Sequence, residues 1–433
     1  MAKVVEYIFL SFIIVYSTTT KAQSYSSYII GDTTNVIVNP QWAVCLMGGA
    51  TENDSAMLWF LQKANGGDVL VLRATGADGY NSYMYNLQGA NVNSVQTLVV
   101  PSTQAANDNY VKTQILNAEA IFIAGGNQAD YVSFWKNTAL DSALNFFVQI
   151  KKGAIGGTSA GMAILGDYYF SALNGTITSS AALSNPFHSN ITLGVSDFIK
   201  HPFLKNTITD THYDNPDRKG RHSVFIARLS LMGEDTVYGI ACDEYTAVCI
   251  DSNKIARVFG EAPQYDDNAY FIQINCEVNS NSPEIISPNQ ALTWDQNNKA
   301  IKVCQVKGTP SGSFSFDLND WKTHNGGQWY NWYIQNGSIF TSISTSPQCN
   351  LLSIQNETFV PDLIIYPNPT INSFKINLPN DDIYRVEILN INGQFILQTH
   401  VNEVNLNNLS KGIYLVKITR NNGHVIFKKL IKE

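Results

Sequence analysis

The stretch "KKGAIGGTSAGMAILGDYY", Lys151 to Tyr169, carries an apolar run that stops at two glycines. It then sets Ser159 between small residues, ahead of a helix-like segment. Gly157-Thr158-Ser159-Ala160-Gly161 fits G-x-S-x-G, the pattern of a sharp strand-to-helix turn. The reason for the glycines is steric. Such a turn crowds the positions two before and two after the serine, so both must be small, and the hydroxyl is left exposed above the sheet. The N–H of Ala160 falls at the start of the helix, where donors are unpaired and the dipole favours negative charge.

The same grammar extends upstream. "WAVCLMGGA" (Trp42 to Ala50), "DVLVLRATG" (Asp68 to Gly76), "VQTLVVPS" (Val95 to Ser102) and "AEAIFIAGGNQ" (Ala118 to Gln128) read as buried strands separated by helical segments. Asp54 is a fair N-cap for the first helix and Gly66-Gly67 its stop. A helix around Tyr131 to Gln149 leads into the serine turn. Continuous apolar strands alternating with helices predict an α/β fold, a parallel sheet covered on both faces. "MGGA", "AGGN" and "IGGTSAG" each end a strand in glycine. Ligands of open parallel sheets gather beyond those carboxyl ends.

After Phe259 the composition shifts. "YFIQINCEVN", "AIKVCQVKG" and "SFSFDLNDW" alternate between Asn, Ser and Gly turns. They predict a β-rich extension, 261–356, packed on the α/β domain, 23–260, or else a separate small domain. A second break near Thr358 opens 357–433. Its strand-like runs turn at Asn392-Gly393, Lys411-Gly412 and Asn422-Gly423, which predicts a small antiparallel β-sandwich. At the other end, Lys3, the apolar "IFLSFIIVYS" and the small residues Thr20 and Ala22 read as a signal peptide, 1–22, cleaved before Gln23. The alternative is a buried N-terminal helix. An apolar run of about ten residues is too short to span a bilayer, and no other segment is long enough.

Charged residues make up 15% of the chain and the net charge is −7, with no long basic run. Phosphate backbones need clustered Lys and Arg, so nucleic acid is not an expected partner. Six cysteines fit an exported protein with one or two disulfides. Cys45, Cys242 and Cys249 lie in apolar runs and read as buried thiols. Any two of Cys276, Cys304 and Cys349 could pair. There is no CxxC or HExxH and the seven histidines are scattered, so neither a metal nor an organic cofactor is expected.

A serine hydroxyl needs a base to become nucleophilic at neutral pH. His212, in "NTITDTHYDNPDRKGRHSVF" (Asn206 to Phe225), is best placed. It follows a run able to form the next strand, and arginines crowd behind it. His188 and His201 read as loop residues near prolines, and His222 as a surface residue of a helix.

From about Gln41 to Gly260 the chain resembles the cyanophycinase and aspartyl dipeptidase (dipeptidase E) family of serine peptidases. The likeness lies in "LMGGATENDSAMLWF", "IFIAGGNQ", "GGTSAGMAILGD", "ITDTHYDNPDRKGRHSVFIARL" and "YGIACDEYTAVCI" (Tyr238 to Ile250). It implies the three-layer α/β fold of class I glutamine amidotransferases. It implies Ser159 as nucleophile, His212 as base, and Gly126 and Ala160 as oxyanion donors, with Gly125 a substitute for Gly126. It further implies that Gln128, Asp210, Arg218 and Arg221 bind a β-aspartyl-arginine unit of a peptide or cyanophycin-like substrate. Arginine forks suit a carboxylate and Asp210 a guanidinium. A homodimer is left open.

There are departures. Thr211 stands where the family has glutamine, and the insert "DNPD" displaces the arginines. The resemblance also implies an acid between serine and histidine, yet "NGTITSSAALSNPFHSN" (Asn174 to Asn190) holds no carboxylate. Asp167, Asp197, Ser179 and Ser180 are the candidates to orient the imidazole. The alternative is a catalytically impaired relative acting as a surface binding module.

The last seventy or so residues resemble the C-terminal sorting domain of the type IX secretion system of Bacteroidetes. The matching elements are "YPNP" (Tyr366 to Pro369), "NINGQ", "LSKGIYLVKI" and Lys428, Lys429 and Lys432. This implies the type IX machinery as a partner and a secreted or cell-surface location. An immunoglobulin-like adhesion module is the other reading.

Overall fold

A computed structural model describes residues 23–232, 236–278, 280–348, 365–377, 383–390, 395–420 and 425–433. The expected signal peptide, 1–22, lies outside them. The chain divides by its contacts into one unit running to Cys349 and another from Asn350.

In the first unit the strands are β1 (Ser26–Gly31), β2 (Ala43–Met47), β3 (Asp68–Arg73), β4 (Ser94–Val99), β5 (Ala120–Ile123), β6 (Ala154–Thr158), β7 (Tyr168–Phe170), β8 (Leu193–Val195) and β9 (Thr207–Asp210). They continue as β10 (Tyr238–Cys242), β11 (Ala247–Ile250), β12 (Ile255–Phe259), β13 (Asn268–Ile274), β14 (Ile301–Lys307), β15 (Phe314–Asp317), β16 (His324–Asn325), β17 (Gly327–Gln335) and β18 (Ser338–Ile343). Ten form a sheet in the order β1-β4-β3-β5-β6-β2-β11-β12-β15-β16. Its middle, β4-β3-β5-β6-β2, is the parallel sheet the alternating pattern predicts. The other eight run β18-β17-β14-β13-β10-β9-β7-β8, parallel only across β10-β9-β7.

Period-two burial explains why the central strands read as unbroken apolar runs. In β2, Val44 and Leu46 face a core shared with the helices Gln128–Trp135 and Ala139–Phe146 and with Ile240 and Phe271 of the second sheet. Ala43, Cys45 and Met47 face the opposite core, under the helix Asp54–Gln62. The far side of the second sheet packs Ile208, Ala241 and Ile272 against the helix Lys219–Ser230.

Local details differ from the sequence reading. Asn53, not Asp54, caps the first helix, its side chain accepting from the Ala56 N–H at 3.0 Å. The helix expected over 131–149 is two helices. Asn137 takes a left-handed φ of 62° and Thr138 caps the second. Within the stretch read as a β-rich extension or a separate small domain, strands β13 to β18 join both sheets. Cys45, Cys242, Cys249 and Cys304 are buried free thiols. That removes Cys304 from any pairing. Cys276 is disulfide-bonded, and Cys349 lies outside the described residues.

In the second unit, Ile365–Tyr366, Ser373–Ile376 and Glu403–Asn405 form one antiparallel sheet. Ile383–Asn390, Phe395–Thr399, Gly412–Arg420 and Val425–Lys432 form another. Phe374, Val386, Ile388 and Val416 fill the core between them, giving the expected sandwich. The Asn392-Gly393 and Asn422-Gly423 turns lie outside the described residues. No helix among the described residues is long and apolar enough to cross a membrane.

Candidate active site

Strand β6 ends at Thr158, and Ser159 takes φ 51° and ψ −119° before the short helix Ala160–Ala163. A β-substituted residue holds such a conformation only where its surroundings enforce it. The Ser159 N–H donates to the Met47 carbonyl of β2 at 3.1 Å. A Cβ on Gly161 would lie 2.0 Å from the Ile123 carbonyl oxygen, and one on Gly157 2.6 Å from the Gly161 carbonyl carbon. Both glycines are therefore required by close approach.

His212 follows the end of β9 by two residues, with φ 45°. Its N–H donates to the Gly48 carbonyl at 2.8 Å. Its ring lies over Gly49, where a Cβ would stand 2.4 Å from Nε2. Gly49 of "MGGA" thus makes room for the imidazole, while a Cβ on Gly48 would meet the Asp243 carbonyl. Nε2 lies 2.8 Å from Ser159 Oγ.

Glu244 follows the end of β10 by two residues, and β10 is the parallel neighbour of β9. Its Oε1 lies 2.6 Å from His212 Nδ1. This network assigns the ring proton to Nδ1, donating to the carboxylate, and leaves the Nε2 lone pair for the Ser159 hydroxyl. The "DNPD" insert braces the acid. Asp214 Oδ1 accepts from the Glu244 N–H at 2.9 Å, and Asn215 Nδ2 donates to Glu244 Oε2 at 3.4 Å. Hydroxyl, imidazole and carboxylate in this order form the arrangement that activates a nucleophile.

The residues expected to orient the imidazole are engaged elsewhere. Asp167 accepts from the Asn206 N–H at 2.9 Å. Asp197 pairs with Lys136 at 2.5 Å and accepts from the Tyr169 hydroxyl at 2.7 Å. Ser179 donates to the Asp217 carbonyl at 2.7 Å, and Ser180 sits within the helix Ser179–Ser184.

The second glycine loop borders the serine. A Cβ on Gly125 would lie 3.5 Å from Ser159 Cβ. The Tyr131 hydroxyl lies 2.8 Å from the Ala124 carbonyl and 3.2 Å from that of Gly125. A trans peptide points its C=O and N–H in opposite directions, so the Gly126 N–H is turned away from Tyr131. Ala160 opens its helix, as expected. Gln128 also opens a helix, and its Nε2 donates to the Phe170 carbonyl at 3.3 Å.

Asp210 and Arg221 are found together, as partners of each other. Nε donates to Oδ2 at 2.9 Å and Nη2 to Oδ1 at 2.5 Å, and each side chain is 4% exposed. Burial works to raise the Asp210 carboxyl, but the Arg221 guanidinium outweighs it and the net displacement is downward. The guanidinium expected from a substrate is here supplied by the chain. The cause is the helix Lys219–Ser230, which buries nine of its twelve residues and carries Arg221 inward. Arg218 is more open. Its Nη1 donates to the Thr211 carbonyl at 2.9 Å and lies 3.9 Å from Asp210. Burial, and then Arg221 beside it, lower its guanidinium to about 10.

Residues 50–258 match peptidase family S51. This part of the chain belongs to that family. Residues 364–433 match the secretion system C-terminal sorting domain, so the chain carries a type IX sorting signal directing it to the cell surface or the medium. Cyanophycinases of Synechococcus elongatus and Thermosynechococcus vestitus are 25% identical over 239 residues, 53% of this chain and 69% of theirs. An ulvan lyase of Nonlabens ulvanivorans is 28% identical over 164 residues, 35% of this chain; the match spans only 29% of that protein's length. Among solved structures, a peptidase from an acI-B1 actinobacterium is 14% identical with a TM-score of 0.37, covering 54% of this chain and 91% of its own. A putative peptidase E protein from Listeria monocytogenes is 13% identical with a TM-score of 0.32, covering 51% and 100%.

Within the S51 domain, sequence reasoning missed Glu244. A usable signal lay in "YGIACDEY": an acid just past the end of a buried strand, where the glycine-ended strands also deliver their loops. His222 was misplaced as well. It is fully buried, and burial lowers its imidazole to about 4. His201 is buried too, lowered by burial to about 3, with Nδ1 accepting from the Phe203 N–H at 3.1 Å. Among the described residues no group of three or more His, Cys, Asp or Glu is placed to hold a metal ion.

Proposed function

We propose that the chain is a secreted serine peptidase that cleaves an aspartyl or β-aspartyl amide bond through an acyl-enzyme. The observation that carries this reading is the continuous relay of 2.8 Å from Ser159 Oγ to His212 Nε2 and 2.6 Å from His212 Nδ1 to Glu244 Oε1. Ser159 Oγ attacks the scissile carbonyl while its proton passes to Nε2. Glu244 holds the imidazolium that results. The N–H groups of Ala160 and Gly126 take the oxyanion, the first aided by its helix start. Collapse breaks the C–N bond, and Nε2 returns the proton to the leaving amine. Water, activated by the same nitrogen, then releases the acid and restores Ser159. No metal or organic cofactor enters these steps.

The aspartyl preference rests on the family likeness and on Arg218, the more open of the two arginines beside the site, whose fork suits a carboxylate. Gln128 is the second candidate contact. Asp210 and Arg221 act by holding the His212 segment rather than by touching substrate. The binding-module reading drew on a missing acid; the 2.6 Å contact of Glu244 with His212 Nδ1 favours the catalytic reading over it. Incubating the full chain with cyanophycin and with Asp-X dipeptides, beside Ser159→Ala, tests the proposal. Release of product by the natural chain alone is expected. Equal turnover by both, or no labelling of Ser159 by a fluorophosphonate probe, overturns it.

A further inference from the structure

The loop after β5 runs Ala124-Gly125-Gly126, and two side chains flank it. A Cβ on Gly125 would lie 3.5 Å from Ser159 Cβ, and one on Gly126 3.1 Å from the Tyr131 hydroxyl. Ser159 and Tyr131 therefore border the loop from different sides. The Tyr131 hydroxyl donates to the Ala124 carbonyl at 2.8 Å and reaches the Gly125 carbonyl at 3.2 Å. Among the described residues neither carbonyl has another donor. Two successive carbonyls that converge on one hydroxyl turn two successive N–H groups, those of Gly125 and Gly126, the other way. Successive N–H groups aimed together make a concavity that suits an anion. Neither has an acceptor among the described residues, and nor has the Ala160 N–H.

Two glycines make this arrangement soft. The peptide that joins them has no Cβ on either side, so it can rotate as a unit at little steric cost. Rotated, it would carry the Gly125 carbonyl away from Tyr131 and set an acceptor where the proposed reaction requires a donor. Tyr131 itself is firmly held. It is buried, and its ring stacks on the buried Trp135 with centroids 4.4 Å apart. Trp135 is fixed in turn, its indole N–H donating to the Val100 carbonyl at 2.9 Å. Burial pushes the Tyr131 phenol well above its ordinary value, so the hydroxyl keeps its proton and stays a donor.

We propose that Tyr131 is a positioning residue for the hydrolysis: its hydroxyl locks the peptide between Gly125 and Gly126 so that this loop offers the oxyanion two donors rather than one. The proposal deepens the peptidase reading and rests on it. It makes Gly125 and Gly126 joint donors rather than substitutes for each other. Tyr131 touches no reacting atom and acts only through the two carbonyls.

The test compares the full-length natural chain with Tyr131→Phe in reaction with a fluorophosphonate probe, with Ser159→Ala as the blank. Ser159 Oγ bonds to phosphorus, fluoride leaves and the hydroxyl proton passes to His212 Nε2. Negative charge grows meanwhile on the phosphoryl oxygen, where oxyanion donors act. Tyr131→Phe should lower the maximal labelling rate by about 10–100-fold, no more than the loss of one such donor costs. The probe concentration giving half that rate should stay within about twofold, and thermal melting should stay cooperative. Labelling as fast as that of the natural chain overturns the proposal. So does a fall carried by the half-saturating concentration alone, which would make Tyr131 a binding residue. Loss of the cooperative melt also overturns it, since a hydroxyl that only holds a loop cannot carry the fold. If the natural chain is not labelled, the catalytic reading fails and takes this inference with it. If the natural chain is labelled and Tyr131→Phe matches it, the inference fails alone.

Discussion

Two polar networks leave the end of β9 within three residues of each other, and they are built to opposite ends. Asp210, the last residue of the strand, turns into the protein and closes on Arg221, both side chains 4% exposed. His212, two residues on, stays near the surface with Glu244, at 22% and 17%. The first network is bidentate and complete. The second stops at a hydroxyl whose other neighbour is solvent or substrate. A closed buried pair repays its desolvation only while both members are present. An open relay keeps a proton acceptor available and spends little on the fold. The chain thus separates a charge pair that holds the His212 segment from a hydrogen-bonded relay that we propose acts on a proton. The two should fail differently when broken.

The largest effect is expected at the open end. Ser159→Ala should lower turnover by about 10⁴-fold or more and move the melting temperature by no more than about 2 °C, since only a hydroxyl is lost. Steady-state assays beside thermal melts check this. Glu244→Gln comes next. It keeps the side-chain shape, but its amide removes the charge that steadies the imidazolium and permits the wrong tautomer. A loss of about 10²–10⁴-fold in kcat is expected, with stability near that of the natural chain. Unchanged kcat would show that Glu244 does not orient His212.

How far this contrast is legible in the sequence depends on the range of the forces involved. The serine turn is local: Gly157 and Gly161 are demanded by contacts within a few residues and with the neighbouring strand end, and the pattern alone announces them. The parallel core is legible because strands buried on both faces lose their polar positions, as in "AVCLM" of β2. Glu244 is not legible in that way. It reaches His212 through the pairing of β9 with β10, and a search confined to the chain between serine and histidine passes it by. The Asp210–Arg221 pair is hidden for another reason. "KGRHSVFIARLS" has the composition of a surface helix, yet the second sheet and its hairpins bury most of it. His222, read as a surface residue, and Arg221, expected to meet substrate, therefore both lie inside.

The closed end should fail through stability. Asp210→Ala leaves the Arg221 guanidinium buried and unpaired, at a cost of about 3–5 kcal/mol. Chemical unfolding should show it, with activity lost in step with the folded fraction rather than ahead of it. The pH sense follows from the net lowering of the Asp210 carboxyl. Its stabilisation is present above the unfolded value of 3.8 and fades as pH falls below it. The gap between natural chain and variant should therefore narrow in strong acid. A variant as stable as the natural chain at neutral pH would mean that Arg221 finds water or another acceptor.

The smallest effect is expected at Asp243, one residue before Glu244. It is 2% exposed; Oδ2 accepts from the Asn268 N–H and from Asn268 Nδ2, at 3.1 and 2.9 Å, while Oδ1 is buried without a partner among the described residues. Burial raises its carboxyl to about 7, against the pull of the Asn268 bonds. The sign is opposite to that of Asp210. A raised carboxyl holds its proton better in the folded state, so its contribution is full below the unfolded value of 3.8 and is lost as pH rises through about 7. Asp243→Asn removes the titration and leaves an oxygen to accept from Asn268. It should flatten the decline in stability across that window by about 1–2 kcal/mol, once solvent relaxation around the charge is allowed for. Unfolding of both proteins at pH about 4.5 and about 7.5 measures it. The buried histidines, which titrate in the opposite sense, cancel in the difference between the two proteins. Parallel pH profiles would mean that Asp243 is charged throughout and that its buried Oδ1 meets water, and the loop that carries Glu244 would then be wetter than its packing indicates.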